Sequence, residues 1–526
     1  MITLTAAEVA EATAGRLAVL DAEAAASLTV TFATTDSREV IPGTLFLAKP
    51  GEQTDGHNFV PAAFAAGARL ALTEREVRDD DGHSFAQVIV PDVVLAMGAL
   101  AKYCVQRMRE LNDVTVVGIT GSAGKTTTKD LLADIFATAG QTVAPVGSYN
   151  GEVGVPLTIF RADESTRYLV VEMGADHVGN IEYLADIVRP DHGVILKVGT
   201  AHAGEFGGVD NIEKTKGELA EGSTVSLSLN DDDFRVRRMI SRSSVPTLYF
   251  GVGPANHDGG DQPRISAIDL TTNENGCPEF TLVFSQGQSF AVSSKLIGEH
   301  HVYNLLAAAA IAFQAGISPD VIAEQLNRSV AVSRWRMQRT DRTDGVTVIN
   351  DAYNANPESM AAALRSMAQL GRNTGRRTWA VLGAMLELGD ASVEEHDRIG
   401  RLAVRMNIEK LVVVGEEAKP IYNAAHLEGS WGNEATWVPT TDDAFEVLRQ
   451  ELLPGDLVLF KSSNGSKLGV LGEKVATVEQ LLNQSDEHGS ARWLSAGDQA
   501  KDVNSTAEVE PTAASTQTHA TPGEGA

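Results

Sequence analysis

The chain has 526 residues, 43% hydrophobic and 21% charged, a globular composition too long for one ordinary domain, so about two to four domains are expected. A net charge of −27 argues against binding nucleic acid or anionic membranes through a basic face, but leaves room for a locally positive site for a small anion. The two cysteines, Cys104 and Cys277, form no CxxC pair or Cys/His cluster, which suggests neither a thiolate zinc site nor a disulfide framework and fits a reducing compartment.

The first residues, MITLTAAEVAEATAG, lack a basic region followed by an apolar run, so they are not read as a signal peptide. No stretch approaches ~18 consecutive apolar residues, and a cytoplasmic location is expected. Residues 1–108 mix short strands and helices: TVTFATTDSREVIPGTLFLAKPG predicts two strands around a Pro-Gly turn, and NFVPAAFAAGARLALT predicts a helix, a glycine stop and a strand.

From 109 to 328 the pattern becomes strand then helix. DVTVVGITG leads to KTTTKDLLADIFATAG, RYLVVEMG to NIEYLADIV, and HGVILKVG to VDNIEKTKGELAEG. Apolar runs alternating with amphipathic helices predict a parallel sheet covered on both faces. Residues 262–297 read as β-rich, an insertion or a sheet edge, before a helix at YNLLAAAAIAFQAG. A second alternating block, 329–484, has strands at GVTVIND, RTWAVLG, KLVVVGE and DLVLFKSS and predicts another doubly wound, Rossmann-like domain. Residues 485–526, rich in Ser, Thr, Ala, Gly and Pro, read as a disordered tail.

In VVGITGSAGKTTT a buried strand meets a glycine-rich turn, Gly121-Ser122-Ala123-Gly124, and a helix starts at Lys125-Thr126-Thr127. Glycines let backbone N–H groups face an anion at a helix N-terminus. Lys125 can reach the β and γ phosphates, and the Thr126 hydroxyl is placed for Mg²⁺. The match is to a short GxxGKTT, since Ile119 holds the place of the usual first glycine. A plain glycine turn with a solvated lysine is the bland alternative; the strand before and helix after favour a nucleotide. Glu172 ends the run YLVVE, at the strand edge where ligands bind in such sheets, and His202 lies beyond the strand at VILKVG.

The segments GSAGKTTT, VVEMGADHVGNI, KVGTAHAGEFGGVDNIEKTKGE, GEHHVYNLLAA, NDAYNANPESM and LGAMLELG stand in an order that resembles the Mur ligases, ATP-dependent amide-forming enzymes of cell-wall precursor synthesis, over about residues 30–470. YNANP, LELG and YNGEVGVPLT are similar to the members that add D-alanyl-D-alanine. The resemblance implies a three-domain α/β architecture: a UDP-substrate domain, a central P-loop ATPase with a parallel sheet, and a Rossmann-like C-terminal domain. It implies ligation of D-alanyl-D-alanine to UDP-N-acetylmuramoyl-tripeptide with ATP and Mg²⁺, through an acyl phosphate; a monomer is expected, though the sequence leaves the oligomeric state open.

Carried over by position, the resemblance makes Lys125 the γ-phosphate lysine and Thr126, Glu172 and His202 the Mg²⁺ ligands. It makes Lys216, which fits a K-x-E pattern better than Lys214 does, a carbamylated lysine holding a second Mg²⁺. Asn304 becomes an adenine contact, Arg336 the arginine of a GRME-like motif with Trp335 in place of its glycine, and Asp351 a ribose contact. Ser37, Arg38, Asp55, Gly56 and His57 become contacts to the UDP substrate, and Asn150 a neighbour of the metal-phosphate site. His300-His301 stands where the family has His-Asn, GAM at 383–385 where it has G-D-M, and Lys461-Ser462-Ser463-Asn464 where it has K-G-S-R. Two rival readings are a folylpolyglutamate-type ligase, disfavoured by the DSR and DGH segments, and a non-catalytic nucleotide-binding regulator, disfavoured by Glu172, His202 and Lys216.

Overall fold

The computed structural model describes residues 1–51, 54–199, 203–253, 263–429, 434–482 and 492–495. His202, expected as a metal ligand, lies outside the described residues. Three sheets, each covered on both faces, organise the rest.

The N-terminal sheet has the order Arg16–Ala18, Gln87–Ile89, Ala68–Thr73, Thr44–Leu47, Phe32–Thr34; only the first pair is antiparallel. Side chains alternate along a strand. Leu45 and Leu47 therefore enter one core while Phe46 enters another with Val60 and Ala63 of the helix Val60–Ala65. The two strands around the Pro-Gly turn lie parallel, joined by a loop that carries a short 3₁₀ turn, Ser37–Glu39.

The central sheet runs Ser289–Ser293, Pro278–Val283, Arg264–Thr272, Thr247–Val252, Ser226–Asn230, His192–Ile195, Thr115–Thr120, Tyr168–Glu172, Thr142–Val143. It is parallel from Arg264–Thr272 to Thr142–Val143, and the rest of the β-rich stretch, Pro278–Val283 and Ser289–Ser293, extends it as antiparallel strands. Val117, Ile119, Val170 and Val194 pack toward the helices Lys125–Ala137, His301–Gln314 and Pro319–Arg328. Val116, Leu169, Val171 and Ile195 pack the opposite way, toward Asn180–Val188 and Val209–Gly222.

The helix Val93–Leu111, capped by the Asp92 carboxylate on the Leu95 N–H, joins the first two domains. Met97, Leu100, Ala101, Cys104, Val105 and Met108 form its apolar stripe and share one core with Leu45 and Leu47 and with Ile159, Leu184 and Ile187. A division at 108/109 thus cuts the last turn of a helix whose core is shared by both domains. Arg109, in that turn, pairs with Asp191 at 2.9 Å.

The C-terminal sheet has the order Gln338–Asp341, Thr347–Asn350, Leu457–Lys461, Thr378–Leu382, Lys410–Val414, Ala435–Val438, parallel apart from its first strand. The helix Pro357–Thr374 follows the second strand; Asn356 caps it in a reciprocal box with Ser359, and Pro357 opens it. Past the sheet, Val478–Leu482 pairs antiparallel with Arg492–Ser495. That second strand falls within the stretch read as a tail, at the point where its sequence carries Trp493 and Leu494.

Candidate active site

The C-terminal edges of the central parallel strands face those of the C-terminal sheet across a cleft of about 1620 Å³. The phosphate loop, Glu172, Leu196–Val198 and Asn230 line one wall; Asp351, Asn354, Asn356 and Lys461 line the other.

The strand Thr115–Thr120 ends in the loop, and the helix Lys125–Ala137 begins with Gly124 in a left-handed conformation, φ 87°. A Cβ on Gly124 would lie 2.2 Å from Oδ1 of Asn304, so both backbone angle and close approach demand glycine there. Lys125 Nζ donates to the Gly121 carbonyl at 2.8 Å, folding over the loop. Burial lowers its pKa, Glu172 opposes this, and Arg336 adds to the lowering. Ser122 Oγ accepts the Gly199 N–H at 2.9 Å and ties the loop to the next strand's exit. Ala123 and Thr127 also line the cleft.

Glu172, 1% exposed, is held on both oxygens: Thr126 Oγ1 donates to Oε2 at 3.0 Å and Asn150 Nδ2 to Oε1 at 2.8 Å. Ser148 Oγ lies 2.8 Å from Thr126 Oγ1. Arg336 reaches over from the segment joining the domains, donating to Ser148 Oγ at 3.0 Å, with its guanidinium 4.4 Å from the Tyr353 ring centre. Its Nε is buried without a hydrogen-bond partner among the described residues.

Lys216 is buried in the helix Val209–Gly222 and lines the cleft, whereas Lys214 is exposed. Burial and the nearby Lys125 charge bring the Lys216 pKa down to about 7, against the pull of Glu218. Glu218 serves another purpose: its oxygens accept the Gly179 and Glu182 N–H groups at 2.8 and 3.0 Å and cap the helix Asn180–Val188.

Asn304 Nδ2 lies 3.0 Å from His301 Nδ1, and the His300 and His301 rings are 4.3 Å apart. Burial holds both histidines well below their usual pKa, His300 at about 4, so both are neutral at pH 7. Asp351 follows the strand Thr347–Asn350; its Oδ2 accepts from Lys461 Nζ at 2.5 Å and its Oδ1 from the Met337 N–H at 3.1 Å.

The loop, Asn150, Glu172, Lys216, Asn304, Arg336 and Asp351 thus meet in one cleft, while Ser37, Arg38, Asp55, Gly56 and His57 do not line it. In the N-terminal domain Arg38 points out, 87% exposed, and pairs with Asp36 at 2.6 Å. Asp55 binds His57 Nδ1 and Arg75 at 2.6 Å each, and His57 Nε2 accepts the Glu74 N–H at 2.8 Å. The Gly56 N–H donates to the Lys49 carbonyl at 3.0 Å. Sequence reasoning missed Ser148, Tyr353 and Lys197. Two of them stand two residues from expected site positions, Asn150 and Asp351, which is the signal that could have found them. Lys125, Lys197, Lys216, Arg336 and Lys461 bring basic side chains into the cleft of a chain of net charge −27, beside acids such as Glu172, Asp351 and Glu358.

Oxygen donors suit Mg²⁺, which is usually bound through one or two carboxylates with phosphate and water completing its shell. Thr126 and Glu172, converging beside the loop, have that chemistry. Among the described residues no group of three or more His, Cys, Asp or Glu side chains could hold a metal by itself.

Family models match along the chain: "Mur ligase family, catalytic domain" at 29–104, "Mur ligase middle domain" at 119–312, and "Mur ligase, glutamate ligase domain" at 335–464. The UDP-N-acetylmuramoyl-tripeptide--D-alanyl-D-alanine ligase of Mycobacterium tuberculosis is 42% identical over 511 residues, covering 90% of this chain and 98% of its own. The crystal structure of MurF from Acinetobacter baumannii superposes with a TM-score of 0.77 at 30% identity, covering 90% of this chain and 99% of that one. That of the MurF ligase from Thermotoga maritima in complex with ADP gives 0.70 at 27% identity, covering 85% and 97%.

Proposed function

The chain belongs to the Mur ligase family, and we propose that it joins D-alanyl-D-alanine to UDP-N-acetylmuramoyl-tripeptide at the expense of ATP. The observation that carries this reading is the cleft itself, where a phosphate loop, a buried carboxylate and a neutral-prone lysine face a second domain. The free, buried cysteines fit a cytoplasmic enzyme.

A carboxylate is a poor electrophile because its oxygen is a poor leaving group. Its attack on the γ-phosphorus expels ADP and gives an acyl phosphate. The dipeptide amine then attacks the acyl carbon, phosphate leaves with the bonding pair, and the nitrogen loses a proton. Loop N–H groups and Lys125 hold the phosphates against their mutual repulsion. Arg336 adds positive charge from the other domain, and Asn304 and Asp351 serve the adenosine end. Mg²⁺, held by Thr126 and Glu172 with His202, would supply charge neutralisation at the transferring group. Lys216, as a carbamate, would offer oxygens to a second Mg²⁺. Ser37, Arg38 and the Asp55–His57 turn remain our assignment for the UDP end, and Asn150 fixes Glu172.

The acceptor side of the cleft is read from the helix Pro357–Thr374. Glu358, Ala361, Ala362 and Arg365 share one face and line the cleft. A zwitterionic dipeptide with two methyl side chains suits a wall with an acid at one end, an arginine at the other, and alanines between.

Phosphate release assayed with ATP, UDP-muramoyl-tripeptide and a panel of dipeptides tests the function. Release should require both the UDP substrate and D-alanyl-D-alanine, and Lys125→Ala should abolish it. ATP hydrolysis indifferent to the dipeptide would instead support a nucleotide-binding regulator.

A further inference from the structure

Residues 334–337 cross from the central domain to the first strand of the C-terminal sheet, and their backbone is unusual. Trp335 and Met337, neither of them glycine, have φ of 59° and 50°, in the left-handed region. Side chains with a Cβ rarely enter it, and the surrounding structure must over-determine such a conformation. Arg336 lies between them, and its head reaches the other domain at Ser148 and Thr126.

What holds the strained residues is visible on both sides. The Trp335 carbonyl accepts the Tyr353 N–H at 3.3 Å, and the Met337 N–H donates to Asp351 Oδ1 at 3.1 Å. The Trp335 side chain, 9% exposed, lies on the helix Leu468–Ala476. A Cβ on Gly469 would come within 2.4 Å of the indole, so that glycine makes the seat. Nε1 donates to Glu473 Oε1 at 2.9 Å, and Arg334 stacks over the ring at 4.5 Å while pairing with the same glutamate.

We propose that Trp335, clamped between Gly469 and Glu473, is a positioning residue that fastens the 335–337 turn to the C-terminal domain and so aims Arg336 at the phosphate end of the cleft. A glycine at 335 would adopt the same φ without strain, but it would keep only the backbone bonds to Tyr353 and Gln338 and lose the seat on Gly469 and Glu473. The tryptophan exchanges backbone ease for an anchor. The indole does not line the cleft; it acts through the turn it holds, chiefly through Arg336. The proposal rests on the reading of the cleft as a nucleotide site.

A double-mutant cycle on the full-length protein separates this role from mere stability. Trp335→Gly should lower kcat/KM for ATP about tenfold, the size of coupling common for residues acting through one another. In an Arg336→Ala background the same change should cost less than about twofold. Glu473→Ala repeats the cycle with a partly exposed residue that leaves the indole in place, should Trp335→Gly fail to fold, and Trp335→Phe should fall between wild type and glycine. If Arg336→Ala impairs ATP use but the Trp335 or Glu473 effect persists undiminished beside it, the clamp is wrong. If Arg336→Ala leaves ATP kinetics untouched, the assignment of Arg336 to the nucleotide fails and takes the clamp with it.

Discussion

Thr126 Oγ1 donates to Glu172 Oε2 at 3.0 Å, although the two residues come from different strand exits 46 positions apart. The bond exists because Thr115–Thr120 and Tyr168–Glu172 are adjacent parallel strands, with Glu172 registered on Ile119. Their ends therefore deliver a hydroxyl and a carboxylate to one point beside the loop. Glu172→Gln keeps the shape and removes the charge. We predict a loss of about 10²–10³ in kcat, the usual scale for deleting one preorganised electrostatic group. The circular dichroism spectrum should be unchanged, and raising Mg²⁺ should recover part of the rate. A variant with near wild-type turnover at low Mg²⁺ would remove Glu172 from the metal site.

The second prediction concerns the join between the first two domains. A chain starting at residue 109 would strip Met97, Leu100, Ala101 and Val105 from the core they share with Leu184 and Ile187. It should be insoluble or unfold well below the intact protein. A chain starting at Asp92 keeps the helix and its cap and should fold, bind ATP, and lose affinity for the UDP substrate. Calorimetry on the chain starting at Asp92 checks all three. Unchanged affinity for the UDP substrate would overturn the N-terminal assignment.

That helix shows where sequence reading stops. The strands were legible because apolar runs such as VTVVGIT and VTVIN lie between turn signals, and the loop because its glycines and Lys125 have a known physical task. A domain boundary carries no such local mark: Val93–Leu111 is an ordinary amphipathic helix, and only tertiary packing shows that its stripe lies in one core continuous across both domains. The same holds for Glu218. Spacing linked it with Lys216, yet its carboxylate caps another helix. Ser148 and Tyr353 escaped notice because their importance lies in touching Arg336, more than 180 residues away from the serine and, for the tyrosine, on the far side of the strands Gln338–Asp341 and Thr347–Asn350.

The third prediction contrasts two lysines. Lys216 is buried in the cleft with its pKa down at about 7, and Lys214 is exposed on the same helix. Only a neutral amine adds CO₂. The sign follows: below pH 7 Lys216 is mostly ammonium and resists carbamylation, and above it the amine is mostly free. Bicarbonate should therefore activate CO₂-depleted enzyme increasingly as pH rises through about 7. Lys216→Ala should be nearly inactive and partly rescued by short carboxylic acids; Lys214→Ala should lose less than about twofold, as for an exposed surface change. Activity that ignores CO₂, with Lys216→Ala active, would leave the site without a carbamate.

The last prediction concerns the dipeptide. Glu358 and Arg365 are two helical turns apart, a rise of about 10 Å, with Ala361 and Ala362 between them on the cleft face. A Cβ on Gly199 would lie 3.1 Å from Glu358 Oε1 and 3.4 Å from Ser122 Cβ, which puts the acid next to the phosphate loop. The amine of an incoming dipeptide must reach the acyl phosphate, so its ammonium end belongs near Glu358 and its carboxylate toward Arg365. Arg365→Ala should raise KM for D-alanyl-D-alanine about tenfold or more, with KM for ATP unchanged, since a charge-assisted contact to a carboxylate is worth about 1.5–3 kcal/mol. The C-terminal amide of the dipeptide should be a poor substrate for the wild type, and Arg365→Ala should no longer distinguish it from the acid. Ala362→Leu should fill the space for the methyl groups and raise the dipeptide KM without touching either nucleotide. If Arg365→Ala kept full discrimination between acid and amide, the carboxylate would be bound elsewhere, and the polarity assigned to this helix face would have to be reversed or abandoned.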